Sequence, residues 1–181
     1  MQVLVIYGSR LGSTKGIAER IATRLRQDRL EVTLQPAPGG SEFTDADAFV
    51  IGSAVYGGRW VKEAADFVRQ HRTVLVHRPV WLFSSGPVGD LAMRHAPVEP
   101  KDVARLRSMV NPREHRIFGG AMDRGAVDSS PLGFAERLIA KTMVSEGDYR
   151  DWQAIDAWAA AIARELARIR ARRSNGVIGR T

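Results

Sequence analysis

The chain has no cysteine among its 181 residues. That excludes disulfides, thiolate metal sites and thiol nucleophiles, so any redox chemistry here needs a bound cofactor. Four histidines, His71, His77, His95 and His115, are scattered without the short spacings of a metal centre. No apolar run reaches the length needed to span a bilayer. The first strand begins almost at the first residue, so no signal peptide is expected and a cytoplasmic location is. Two phosphate-binding fingerprints are also missing, Gly-x-Gly-x-x-Gly and Gly-x-x-x-x-Gly-Lys-Ser/Thr. So are the acidic residues near the end of the first strand that a two-component receiver would need.

What is present reads as one folded unit. A 20.0 kDa chain that is 44% hydrophobic can bury one good core and is too short for two ordinary domains. Residues 1–170 are expected to form that domain, and residues 171–181 a mobile basic tail. The formal charge is +7 and the pI near 10.5. Residues 164–181 hold six arginines against one glutamate, and so carry five of those seven net charges. Cations favour a helix C-terminus, and a peripheral contact with the inner face of a membrane is compatible with such an end. No aromatic interleaving or nucleic-acid motif accompanies it, so no nucleic-acid partner is expected.

The pattern alternates strand and helix. Strands are predicted over 2–7, 30–35, 48–53, 79–84 and 116–121, with helices over 13–27, 61–71, 100–109, 132–144 and 152–170. Val3, Leu4, Val5 and Ile6 form a continuous aliphatic run, as in a parallel strand covered on both faces. Ile17, Ala18, Ile21, Ala22 and Leu25 then recur at helical spacing. This calls for an α/β fold, a doubly wound five-stranded parallel sheet in the order 2-1-3-4-5, with right-handed crossovers. In the last helix Trp152, Ile155, Trp158, Ala159, Ile162, Leu166 and Ile169 keep one face, and its two tryptophans read as core anchors. The stretch between the fifth strand and that helix is far longer than a usual connection. It carries apolar Leu132, Phe134, Leu138, Ile139, Met143 and Val144 among charged Glu136, Arg137 and Lys141. It reads either as a cover for a site or as an extra helix on the body of the domain.

Three loops at the carboxyl ends of strands carry the chemistry, because ligands of open α/β sheets sit there. The first holds Ser9, Arg10, Leu11, Gly12, Ser13 and Thr14. Its glycine and hydroxyl residues lead directly into a helix N-terminus, whose unpaired N–H groups and partial positive charge suit a phosphate. The second holds Ala54, Val55, Tyr56 and Gly57, followed by Trp60; the third holds Ser84, Ser85, Gly86, Pro87 and Val88. Tyr56 is the first candidate for stacking on a planar ligand and Trp60 the second.

The pattern Ser-x-x-Gly-x-Thr resembles the FMN-phosphate loop of flavodoxins, with Leu11 standing where that loop usually has a hydroxyl. The three loops, the late insertion and Gly147-Asp148-Tyr149-Arg150-Asp151-Trp152 together resemble the flavodoxin-like branch that includes the menaquinone-dependent protoporphyrinogen oxidases. The resemblance covers residues 1 to about 170 and implies FMN as cofactor. It puts the phosphate on residues 9–14, the ring between residues 54–57 and residues 84–88, and implies a small-molecule substrate or quinone. A redox partner protein belongs to the same expectations. Three functions follow: an FMN-dependent oxidoreductase similar to protoporphyrinogen oxidase, an electron-carrier flavodoxin, and an interaction module that has lost its flavin. Carriers of this fold are usually acidic. The positive charge and Arg59 in the middle loop favour the enzyme, since a nearby cation stabilises reduced, anionic flavin. Leu11 keeps the third reading open.

Overall fold

The computed structural model describes residues 1–39, 44–86, 88, 98–123, 125, 127 and 146–178, the last five of these by backbone alone. The element order is β1 (Gln2–Gly8), α1 (Ser13–Gln27), β2 (Glu31–Pro36), β3 (Ala48–Tyr56), β4 (Arg59–Trp60), α2 (Lys62–Gln70), α3 (Arg72–Leu75), β5 (Val80–Ser85), α4 (Val103–Val110), β6 (Glu114–Phe118), β7 (Ala121–Met122), β8 (Gly147–Asp148) and α5 (Trp152–Ile178). The main sheet runs β2-β1-β3-β5-β6, all parallel, with β4 pairing back on β3. That is the doubly wound order expected from the sequence. Val5 sits between Leu34 and Val50 in register, and Val50 beside Trp81, so the aliphatic runs stack across the middle of the sheet.

Alternation along each strand divides the core in two. Val3, Val5, Val50, Trp81 and Phe83 face α1 and α5, where Ile17, Ile21, Leu25, Trp158, Ile162 and Leu166 complete one cluster. Leu4, Ile6, Phe49, Ile51 and Leu82 face α2 and α4, where Phe67, Val68, Leu106 and Val110 complete the other. Trp158 is buried against Phe83 and Phe118 as an edge-on aromatic group, which makes it the core anchor its spacing implied. Such a side chain contributes about 3 kcal/mol by burial.

Several boundaries differ from the pattern, each for a local reason. The fifth parallel strand ends at Phe118 instead of running to residue 121. A side chain at Gly119 would overlap the Tyr149 carbonyl, and the Gly120 carbonyl accepts the Tyr149 N–H at 2.9 Å. The chain then turns to pair antiparallel, Met122 with Gly147. β3 continues past residue 53 to Tyr56 and folds back through Gly57 and Gly58, both at positive φ (57° and 73°), before β4. That two-residue turn is the I′ type, whose left-handed backbone matches strand twist and favours glycine. The last helix extends to Ile178, beyond the apolar stripe, and arginine, a good helix former, carries it as far as Arg173. The helix predicted over 132–144 lies outside the described residues. No helix among the described residues is long and apolar enough to cross a membrane.

Candidate functional site

The site is built at the carboxyl ends of β1, β3, β5 and β6. β1 ends at Gly8, and the chain reaches α1 through residues 9–12. Ser9 holds this turn, its Oγ accepting the Gly12 N–H at 3.1 Å. Gly12 is the N-cap of α1 at φ 84° and offers no side-chain cap, so the N–H groups of the first turn face outward without one. Within that turn Thr14 is fully buried, and its Oγ1 has no hydrogen-bond partner among the described residues. A buried hydroxyl left unpaired costs about 1–3 kcal/mol. An uncapped helix start beside an unpaired buried hydroxyl is an arrangement whose chemistry suits an anion.

The other loops close on this one. Ser13 Oγ accepts the Ala121 N–H at 2.8 Å and lies 3.4 Å from Ser85 Oγ, which ties α1 to the ends of β5 and β6. Gly86 N–H donates to the Phe118 carbonyl at 2.9 Å. Leu11, the departure from the hydroxyl pattern, packs with Val88 against buried Met122 and Val127. Its side chain serves an apolar patch beside the loop. Arg10 reaches across, its guanidinium 5.4 Å from the centre of the Tyr56 ring, so the first and second loops meet. Tyr56 is 37% exposed at the end of β3, with Arg10 lying against its ring. Trp60 is buried: it is 4% exposed, and its indole N–H donates to Ser84 Oγ at 2.7 Å. Ser53 Oγ donates to the Ala54 carbonyl and accepts the Val61 N–H, fixing the base of the hairpin.

Thus residues 9–14, 54–57, 84–86 and 88 are brought to one sheet edge, whereas Pro87 lies outside the described residues. A cleft of about 460 Å³ opens beside the first loop, lined by Ser9, Arg10, Pro36, Ala37, Val61 and Glu63 among others. A slightly larger one, about 480 Å³, lies among Arg113, Arg164, Arg168 and Arg172. It stands at the opposite end of the sheet, where β6 begins, so the unfilled donors and not cleft size pick out the site.

The lead-in to the last helix also has a physical role. The Arg150 guanidinium forms a two-pronged pair with Asp148 at 2.7 and 2.6 Å and lies 4.4 Å from the Trp152 ring centre. Hydrogen bonding to Arg150 holds the Asp148 carboxyl below its ordinary range. Any side chain at Gly16 would meet that guanidinium, so Arg150 rests on α1. Asp151 then caps α5, its carboxylate accepting the Ala154 N–H at 2.9 Å. What sequence reasoning missed is polar and lies behind the loops: Asp102, which accepts the Trp60 backbone N–H, and His115, which bonds Ser84 and is itself bonded to Glu99. Nothing in their linear spacing marks them.

The flavodoxin domain model matches residues 4–152. The chain belongs to the flavodoxin family. This flavodoxin-like chain is 24% identical over 188 residues to protoporphyrinogen IX dehydrogenase (quinone) of Escherichia coli, spanning 93% of this chain and 96% of that one. Among solved structures, a cysteine-to-serine mutant of the flavodoxin from Pseudomonas aeruginosa superposes with a TM-score of 0.60 over 92% of this chain and 99% of that chain, at 16% identity. The rubredoxin oxygen:oxidoreductase of Desulfovibrio gigas gives 0.59 at 16% identity, over 92% of this chain but only 36% of the larger protein. These likenesses establish the fold, and the flavodoxin fold implies a flavin cofactor.

Proposed function

We propose that the chain is an FMN-dependent oxidoreductase that oxidises a porphyrinogen-type small molecule and passes the electrons to a quinone. The observation that carries the cofactor half is the buried, unpartnered Thr14 hydroxyl at the uncapped start of α1. The substrate half is supported by sequence likeness, 24% identity over 93% of this chain, to a protoporphyrinogen dehydrogenase. The +7 charge supports an enzyme over an acidic carrier as well.

In this reading the first-turn N–H groups, Ser13 and the Thr14 hydroxyl hold the phosphate, and Ser9 keeps their turn closed. Leu11 adds no donor and supports the loop through its apolar patch. Ala54, Val55, Tyr56 and Gly57 flank one side of the ring, with Tyr56 stacking, and Ser84, Ser85, Gly86, Pro87 and Val88 approach the other. FMN, when bound, supplies the hydride and electron chemistry, and the protein orients it and excludes water. No side chain is assigned as a general acid or base.

The test is an anaerobic titration of FMN-loaded protein. Protoporphyrinogen should bleach the flavin absorbance, and a menaquinone analogue should restore it. Flavin that dithionite bleaches but protoporphyrinogen leaves oxidised would overturn the substrate assignment and return the chain to the carrier reading.

A further inference from the structure

Ser84, His115 and Glu99 form a hydrogen-bonded chain behind the ring-flanking loops. Ser84 Oγ lies 2.9 Å from His115 Nε2, and His115 Nδ1 lies 3.2 Å from a Glu99 carboxylate oxygen. The order of groups is that of a hydrolytic triad. A nucleophilic role is excluded, because Ser84 is fully buried and its Oγ already receives the Trp60 indole N–H at 2.7 Å.

Donor inventory fixes the direction of the chain. Indole can only donate, so Trp60 gives its proton to Ser84 Oγ. The Ser84 hydroxyl proton then goes to His115 Nε2, which must be bare, and the ring's one proton sits on Nδ1 facing Glu99. Glu99 is held in turn by Arg107 at 3.1 Å. Among the described residues, every donor of this group finds an acceptor only when His115 is neutral and carries its proton on Nδ1.

Trp60 and Ser84 belong to different loops. Trp60 closes the hairpin whose tip is Tyr56, Gly57 and Gly58, and Ser84 opens the loop that continues through Ser85 and Gly86. The hairpin is further held from the segment before α4. The Asp102 carboxylate accepts the Trp60 backbone N–H at 3.2 Å, and the Lys101 N–H donates to the Gly58 carbonyl at 2.9 Å.

We propose that His115 is a positioning residue that, in its neutral form, ties together through Ser84 and Trp60 the two loops flanking the flavin ring. The inference rests on the FMN reading above. A proton added at Nε2 converts the acceptor into a second donor aimed at Ser84 Oγ, and strands the Ser84 hydroxyl proton in a buried place. The groups facing His115 are Glu99 from the segment before α4, Arg107 from α4, and Glu114 beside it on β6. Burial, the largest influence, disfavours the imidazolium, as does Arg107, while the two carboxylates favour it. The net effect holds His115 below the ordinary histidine value, so the tie is intact at neutral pH and loosens only in more acidic solution than an ordinary histidine would need.

The experiment measures FMN dissociation constants at pH 7.5 and 5.0 for the wild type, His115→Gln and Ser84→Ala. Glutamine retains a carbonyl acceptor for Ser84 and does not titrate. His115→Gln should bind FMN like the wild type at pH 7.5, and between the two pH values the wild type should weaken roughly tenfold more than this variant. The phosphate's own protonation is common to both and cancels in that comparison. Ser84→Ala should bind more weakly than the wild type at pH 7.5 and share the flatter profile of His115→Gln. A wild-type profile retained in His115→Gln overturns the proposal. An independent readout needs no flavin: the Trp60 indole N–H signal in a nitrogen–proton spectrum should shift as His115 titrates. A Trp60 signal indifferent to that titration overturns the tie whatever FMN does. Wild-type protein that binds no FMN at pH 7.5, with a Trp60 signal that still follows His115, sinks the flavin reading and leaves the tie standing.

Discussion

Gly52→Ala should destabilise the protein by more than about 3 kcal/mol, one of the largest costs open to a single added methyl group. Gly52 lies in the middle of β3, and the Phe83 ring from the neighbouring strand lies over its bare backbone. A Cβ there would stand 1.9 to 2.4 Å from three ring atoms. The ring cannot retreat, because Phe118 and Trp158 pack against it at centroid distances of 6.2 and 6.1 Å, and all three are buried. For a chain of this length the loss corresponds to a fall in Tm of roughly 6–12 °C. Since Ser53 and Ala54 follow directly, the same change should shift the hairpin and lower flavin retention. Thermal unfolding checks it: a loss under about 1 kcal/mol would mean that the ring is not where the structure has it. The double variant Gly52→Ala/Phe83→Leu should cost less than the two single changes added together, because the residues are in contact.

The second large effect concerns the insertion. Replacing residues 128–145 with a short Gly/Ser linker should leave the fold and FMN binding intact while abolishing porphyrinogen turnover. The replacement is geometrically sound because β7 and β8 hold the two ends of the insertion side by side, Met122 paired with Gly147. It spares Val127, which is buried with Met122 against Leu11 and Val88. Turnover should vanish because a large, mostly apolar substrate needs a walled pocket with a few polar anchors. The removed stretch contains Leu132, Phe134, Leu138 and Met143, with Arg137 suited to a substrate carboxylate. Unchanged turnover in this variant would assign the substrate wall elsewhere. Unfolding of the variant would make the segment part of the core.

How much of this was legible in the sequence follows a physical division. Elements fixed by their own apolar pattern were readable: the run from Val3 to Ile6, the stripe from Ile17 to Leu25, and the face anchored by Trp158. So were the three glycine- and hydroxyl-bearing loops, because a strand end leading into a helix start has its own composition. Features that depend on contacts between distant residues were not readable. Trp60 looked like a stacking candidate until its indole was found bonded to Ser84, 24 residues away. The strand break after Phe118 depends on Tyr149 pressing on Gly119, and no local breaker distinguishes that glycine from others. Leu11 looked like a lost phosphate contact, and only its packing on Met122 and Val127 shows what it serves. His115 sits in a strand with no spacing to suggest a role, and its meaning comes wholly from Ser84 and Glu99.

In the proposed reading the start of α1 is a phosphate cradle completed by the ligand and not by the protein. Thr14→Val tests it most directly, because it removes the hydroxyl while keeping the branched shape. In most proteins deleting a buried hydroxyl weakens both folding and binding. Here the hydroxyl has no partner among the described residues, so the unfolding free energy of the flavin-free variant should stay level or rise. Its FMN dissociation constant, measured by titration at neutral pH, should increase by roughly ten- to a hundredfold, the scale of a hydrogen bond to a charged group. Unchanged FMN affinity together with a loss of about 1 kcal/mol or more in stability would overturn the phosphate assignment, since the Thr14 hydroxyl would then serve the protein and the phosphate would sit elsewhere.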